Sequence, residues 1–128
     1  PEGSGTRVLT ELLLEREGIP TAAVHGYDDT ELTHAAVAAY IASGMADAGI
    51  GVQTAAQRFG LHFIPLLRER YFFALRIAGL EQPHVRPMLE MLQSPAARAA
   101  IAAIAGYHAA ETGKVQRLGE AFAGTVPG

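Results

Sequence analysis

The chain has 128 residues with 49% hydrophobic content and mean hydropathy +0.15, enough apolar material for a core in one domain-sized unit. Its net charge is −3 with a pI near 5.9, and its ten lysines and arginines form no basic stripe, which argues against direct nucleic-acid binding by this segment. The absence of cysteine excludes disulfides and thiolate metal sites, and no apolar run approaches the roughly 18 to 20 residues that span a bilayer.

The chain opens on GSGTR, residues 3–7, directly before a leucine-rich stretch. Small residues ahead of a helix leave first-turn N–H groups without intrahelical partners, so such a turn can hold an anion. Ser4 and Thr6 add hydroxyls, Gly5 allows close backbone approach, and Arg7 offers a forked cationic clamp; an ordinary N-cap with a surface arginine is the plainer reading. Leu9, Leu12, Leu13 and Arg16 at helical spacing predict an amphipathic helix over residues 6–17, ended by Gly18 and Pro20. Residues 22–27 read as a short strand, and residues 28–33 supply several caps for an alanine-rich helix over 34–43, closed by Gly44.

Residues 48–52, apolar and glycine-bounded, fit a buried parallel strand, and 54–59 a short helix ending at Gly60. Residues 61–66 and 71–77 are further strands, the latter the most strand-like run in the chain. Alternating strands and helices predict an α/β class: a three-layer parallel or mixed sheet with helices on both faces. Beyond Gly79 the pattern is helical, over 83–93 and over 94–105, where Ser94 and Pro95 form a cap and first helical position. From Gly106 onward the glycines Gly113, Gly119 and Gly124 read as irregular chain with a loose tail.

The words and their order over residues 26–75, GYDDTELTHAAVAAYIASGMADAGIGVQTAAQRFGLHFIPLLRERYFFAL, resemble the periplasmic-binding-protein-like domain of the molybdate and tungstate type. In that family GSGTR opens the second lobe and a TH pair caps the next helix. ADAGIG forms a strand, GLxFIPL follows, and an ERY segment returns toward the first lobe. The likeness covers residues 3–119. It implies a two-lobed type II binding protein with an oxyanion or small ligand in the cleft. Residues 1–77 would be the second-lobe ligand-binding region, and residues 78–128 a helical segment that packs on a first lobe normally preceding GSGTR. An apolar surface built for that lobe, or for another copy in a homo-oligomer, follows.

Three turns at the carboxyl ends of the expected strands form the candidate ligand site: Ser4, Gly5, Thr6 and Arg7; Thr33 and His34; and Gly51 and Val52 with Gln53. Tyr71 is a further candidate reaching the cleft, or a core aromatic. Neutral donors suffice for a fully ionised oxyanion, so the acidic balance is no obstacle. Asp28 and Asp29 read as turn residues serving the backbone, and Glu69 with Arg70 as a solvated pair.

Catalytic motifs fail on spacing. A nucleophile elbow around Ser4 would need glycine where Glu2 and Thr6 stand, a dinucleotide fingerprint lacks its third glycine at Val8, and His25, His34, His62, His84 and His108 stand singly. The expectation is a non-enzymatic domain without cofactor or metal, cytoplasmic with an extracytoplasmic place left open, that transports or senses molybdate or tungstate. The alternative is a ligand-sensing or dimerisation domain of a larger transcriptional regulator or molybdenum-cofactor biosynthesis protein.

Overall fold

The computed structural model describes residues 4–122; Gly3 of the opening motif and the tail containing Gly124 lie outside the described residues. Two compact units divide the chain between Leu67 and Arg68. The first holds α1 (Gly5–Arg16), a 3-10 turn (Thr21–Ala23), α2 (His34–Ala42) and α3 (Gln53–Arg58). The second holds a 3-10 turn (Ile77–Gly79), α4 (Arg86–Gln93), α5 (Pro95–Ala102) and the short α6 (Leu118–Phe122).

The helices form where caps and breakers direct them. Ser4 caps α1, Thr33 caps α2 and Ser94 caps α5, each accepting a backbone N–H from three residues ahead at 3.0–3.2 Å. Gly18, Gly44 and Gly60 follow α1, α2 and α3 at φ +66°, +78° and +67°, the left-handed turn that glycine adopts freely. The α6 helix lies where the sequence reads as irregular.

No strand occurs among the described residues, so the expected three-layer α/β sheet is replaced by a helical architecture. Each expected strand has its own reason. Residues 22–27 close a chain of tight turns, with Val24 N–H on Thr21 C=O, Tyr27 on Val24 and Asp29 on Gly26, which consumes the groups a ladder would need. Residues 48–52 lie against a helix: a Cβ added to Gly49 would stand 2.8 Å from Val37 Cγ1 and 3.1 Å from Ile41 Cδ1.

Residues 61–66 and 71–76 run without helix, turn or bend, yet among the described residues no backbone group of residues 62–75 has a hydrogen-bond partner. Apolar, β-branched and aromatic composition favours extension, but a strand also needs a neighbour. Their large side chains are accordingly open: Ile64 is 79%, Tyr71 70% and Phe73 69% exposed.

The described core is thin. Ala38, Ala55 and Ala56 are buried where α2 and α3 pack, and Val85 is buried in the second unit. In that unit α4 packs on α5, and the segment leading to Ile77 is tied to the later chain residue by residue. Arg70 donates to Ala121 C=O at 2.8 Å and pairs with Glu111 at 3.6 Å, Tyr71 stacks on Tyr107, and Phe72 meets Phe122 edge to face. Arg70 is therefore not the partner of Glu69, which instead accepts from the Tyr71 hydroxyl at 3.3 Å.

Candidate functional site

The start of α1 leaves two donors. Ser4 sits in an extended conformation (φ −76°, ψ 147°), its Oγ takes the Arg7 N–H at 3.2 Å and its carbonyl takes that of Val8 at 3.1 Å. The Gly5 and Thr6 N–H groups have no protein partner among the described residues. They point along the positive end of a 12-residue helix.

Arg7 is occupied. Its Nε donates to Glu11 at 3.2 Å, its Nη1 to the Tyr27 carbonyl at 3.0 Å, and its Nη2 lies 3.7 Å from Asp28. The guanidinium also stands 3.8 Å above the Tyr27 ring, and the Tyr27 hydroxyl donates to Glu11 at 3.3 Å. The Tyr27 hydroxyl is pushed above its ordinary range, first by desolvation; Arg7 opposes the shift, while Glu11 and Asp28 add to it. Asp28 thus serves the guanidinium, not only its own turn. The Arg7–Glu11 spacing was readable as a helical i,i+4 pair, whereas Tyr27 and Asp28 reach Arg7 only through the fold.

At α2, Thr33 (φ −135°, ψ 153°) caps Ala36 through Oγ1 at 3.0 Å and Val37 through its carbonyl at 3.1 Å. The His34 and Ala35 N–H groups have no protein partner among the described residues. At α3, the Val52 carbonyl takes the Ala55 and Ala56 N–H groups, leaving Gln53 and Thr54 likewise free. These two helix starts adjoin. The half-buried His34 side chain packs against the Gly51 backbone, where an added Cβ would stand 3.6 Å from Nδ1, an ordinary contact distance.

The structure therefore gathers Thr33, His34, Gly51 and Val52 into one place and puts Ser4, Gly5, Thr6 and Arg7 in a second cluster with Glu11, Tyr27 and Asp28. No hydrogen bond or ion pair among the described residues joins the two clusters. Tyr71 belongs to the second unit, where its ring lies 6.4 Å from that of Tyr107, nearly parallel. Desolvation, then the Glu69 carboxylate, raises its hydroxyl above the ordinary range. Among the described residues no group of three or more histidine, aspartate or glutamate side chains could hold a metal ion, and no helix is long and apolar enough to cross a membrane.

Comparison with known proteins gives the family. The chain is 38% identical over 114 residues to the uncharacterized protein YvgK of Bacillus subtilis, a match that takes in 89% of this chain and 36% of that protein. It thus spans about a third of that relative's length. It is 30% identical over 99 residues to an uncharacterized protein encoded in the 5' region of the ferredoxin 2Fe-2S gene of Clostridium pasteurianum, covering 77% of this chain and 88% of that one. No solved structure gives a significant match. The model of the PBP superfamily domain, PBP_like, matches residues 1–93, and the chain belongs to that periplasmic-binding-protein-like family.

Proposed function

We propose that the first unit binds a small oxyanion, molybdate or tungstate, through helix N-termini, as a binding domain for transport or sensing and not as a catalyst. The observation that carries this reading is the junction of α2 and α3 at His34 and Gly51. Two helix starts meet there with the His34, Ala35, Gln53 and Thr54 N–H groups unused among the described residues. Free N–H donors at a helix start, together with its dipole, stabilise an anion without a cationic side chain. The Ser4 hydroxyl with the Gly5 and Thr6 N–H groups forms a second set of the same kind.

Family membership supports a ligand-binding role, and the greater length of YvgK is consistent with a second lobe that closes over the ligand. The test is thermal stability with and without millimolar molybdate, tungstate, sulfate and phosphate. A ligand at about 100 times its dissociation constant stabilises by about 2.7 kcal/mol. A selective rise with molybdate or tungstate supports the reading, and no rise with any of the four contradicts it.

The exposed side chains of Tyr71, Phe73 and Ile77 favour a second reading, a sensing or dimerisation module within a larger assembly. Molar mass measured by light scattering across a concentration series tests it. A chain that stays monomeric up to its solubility limit argues against dimerisation.

A further inference from the structure

We propose that residues 71–76, YFFALR, form a strand that pairs antiparallel with the same residues of a second copy of this chain, across a two-fold axis at Ala74; this rests on the dimerisation reading above. Backbone and side chains mark the segment together. From Tyr71 to Leu75 no backbone N–H or C=O has a hydrogen-bond partner among the described residues, and the run contains no turn or bend. Tyr71 is 70%, Phe72 56%, Phe73 69% and Leu75 47% exposed. Apolar side chains alone would fit any apolar partner, whereas unpaired amides and carbonyls along extended chain are matched by another strand.

The segment is held ready for one. Arg70 is fixed on Ala121 C=O and Glu111, Tyr71 stacks on Tyr107, and Phe72 meets Phe122, so a partner strand docks on chain that is already ordered. The run 61–66 is a poorer template, because Pro65 has no N–H to give a ladder. Residues 71–76 contain neither proline nor glycine, and Arg76 is their only charge.

The sequence matches itself best in one register. Two antiparallel copies related by a two-fold axis set one residue opposite itself and order the others symmetrically about it. An axis at Phe73 opposes Arg70 to Arg76, and an axis at Phe72 opposes Arg68 to Arg76, like charges face to face. An axis at Tyr71 sets Glu69 against Phe73, and one at Leu75 runs the pairing into the turn that begins at Ile77. An axis at Ala74 avoids all of these: Phe73 faces Leu75, Phe72 faces Arg76, and Tyr71 lies toward Ile77, with the small alanine at the crossing. The exposed parts of the three aromatics, Leu75 and Ile77 supply about 600 Å² per copy, the lower end of what specific interfaces bury.

The experiment measures molar mass by sedimentation for wild type, Ala74→Lys, Ala74→Glu and an equimolar mixture of the two variants. Like charges opposed at the axis should each weaken dimerisation about tenfold or more, and the mixture should restore it. Ala74 is exposed, so the helical circular dichroism of both variants should match wild type. Disulfide formation gives a second readout, because the chain has no cysteine of its own and any bridge in a single-cysteine variant joins two copies. Mild oxidation should link Ala74→Cys about tenfold faster than Phe72→Cys, whose two copies stand about 13 Å apart along the strands. A dimer indifferent to both Ala74 charges, with no preference for bridging at position 74, leaves dimerisation standing and overturns the strand pairing. A wild-type chain that is monomeric at every concentration overturns both, and slow amide exchange over residues 72–75 in that monomer would assign the pairing strand to the same polypeptide. Mass that grows without limit overturns the closed pair, since open edge addition does not stop at two copies.

Discussion

Gly49 offers the sharpest test of how the α2–α3 site is built. An alanine there would place its Cβ 2.8 Å from Val37 Cγ1 and 3.1 Å from Ile41 Cδ1, both on α2. The isoleucine end can swing aside, but a β-branched valine in a helix is held to one rotamer, so the backbone of the 49–51 segment must lift. Overpacking of this kind costs about 1–3 kcal/mol, offset by about 0.4–1 kcal/mol from the smaller conformational freedom of alanine in the unfolded chain. The net expectation is a destabilisation of about 1–2 kcal/mol, or roughly 4–16 °C in the melting temperature of a unit this small. Gly51→Ala is the internal control, since its Cβ would find His34 Nδ1 at an unstrained 3.6 Å. Melting followed by circular dichroism should separate the two variants clearly. Adding Val37→Ala to Gly49→Ala should recover part of the loss, with a coupling of about 1 kcal/mol. Equal melting temperatures for Gly49→Ala and Gly51→Ala, with no coupling to Val37, would refute the placement of this segment on α2.

Thr33→Ala removes the α2 cap seen at 3.0 Å and should cost about 1 kcal/mol in denaturant unfolding, whereas Thr33→Ser, which keeps the hydroxyl, should cost far less. Gly113→Ala should destabilise the second unit by at least about 2 kcal/mol: Gly113 sits at φ +79°, and its Cβ would lie 2.7–2.9 Å from Gln93, including the Gln93 backbone. Tyr71 should titrate above the ordinary value of 10.0 when tyrosinate absorbance is followed, and Glu69→Gln should bring it partly back. Because the folded form holds that proton more tightly than the unfolded one, Tyr71 contributes stability that is fully present below about pH 10 and is lost as pH rises through the native value.

Much of the helical layout was legible because its signals are local. Ser4, Thr33 and Ser94 cap within four residues of themselves, and Gly18, Gly44 and Gly60 end the helices they follow, so sequence alone locates α1, α2, α3 and α5 to within a few residues. The sheet failed for a matching reason. The apolar runs at 61–66 and 71–77 specify extended backbone, and pairing is a property of two segments that neither run contains. The 22–27 stretch misled differently: its alanines and valine look strand-like, but Pro20 and Gly26 at φ +74° set up consecutive turns.

Among the candidate ligand residues, Thr33 and His34 read as a cap and helix start, and Gly51 and Val52 as the turn after an expected strand; the structure has no strand there, and Gly51 lies beside the His34 side chain. The occupation of Arg7 was half legible. Glu11 stands one helical turn away in sequence, while Tyr27 and Asp28 come from twenty residues further along the chain and carry no local signature.

The most direct measurement is an amide correlation spectrum of the isotopically labelled chain titrated with tungstate. The account predicts saturable shifts concentrated at the His34, Ala35, Gln53 and Thr54 amides, with a second group at Gly5 and Thr6, and little change elsewhere. An unchanged spectrum at millimolar tungstate, or shifts centred on the second unit, would contradict it.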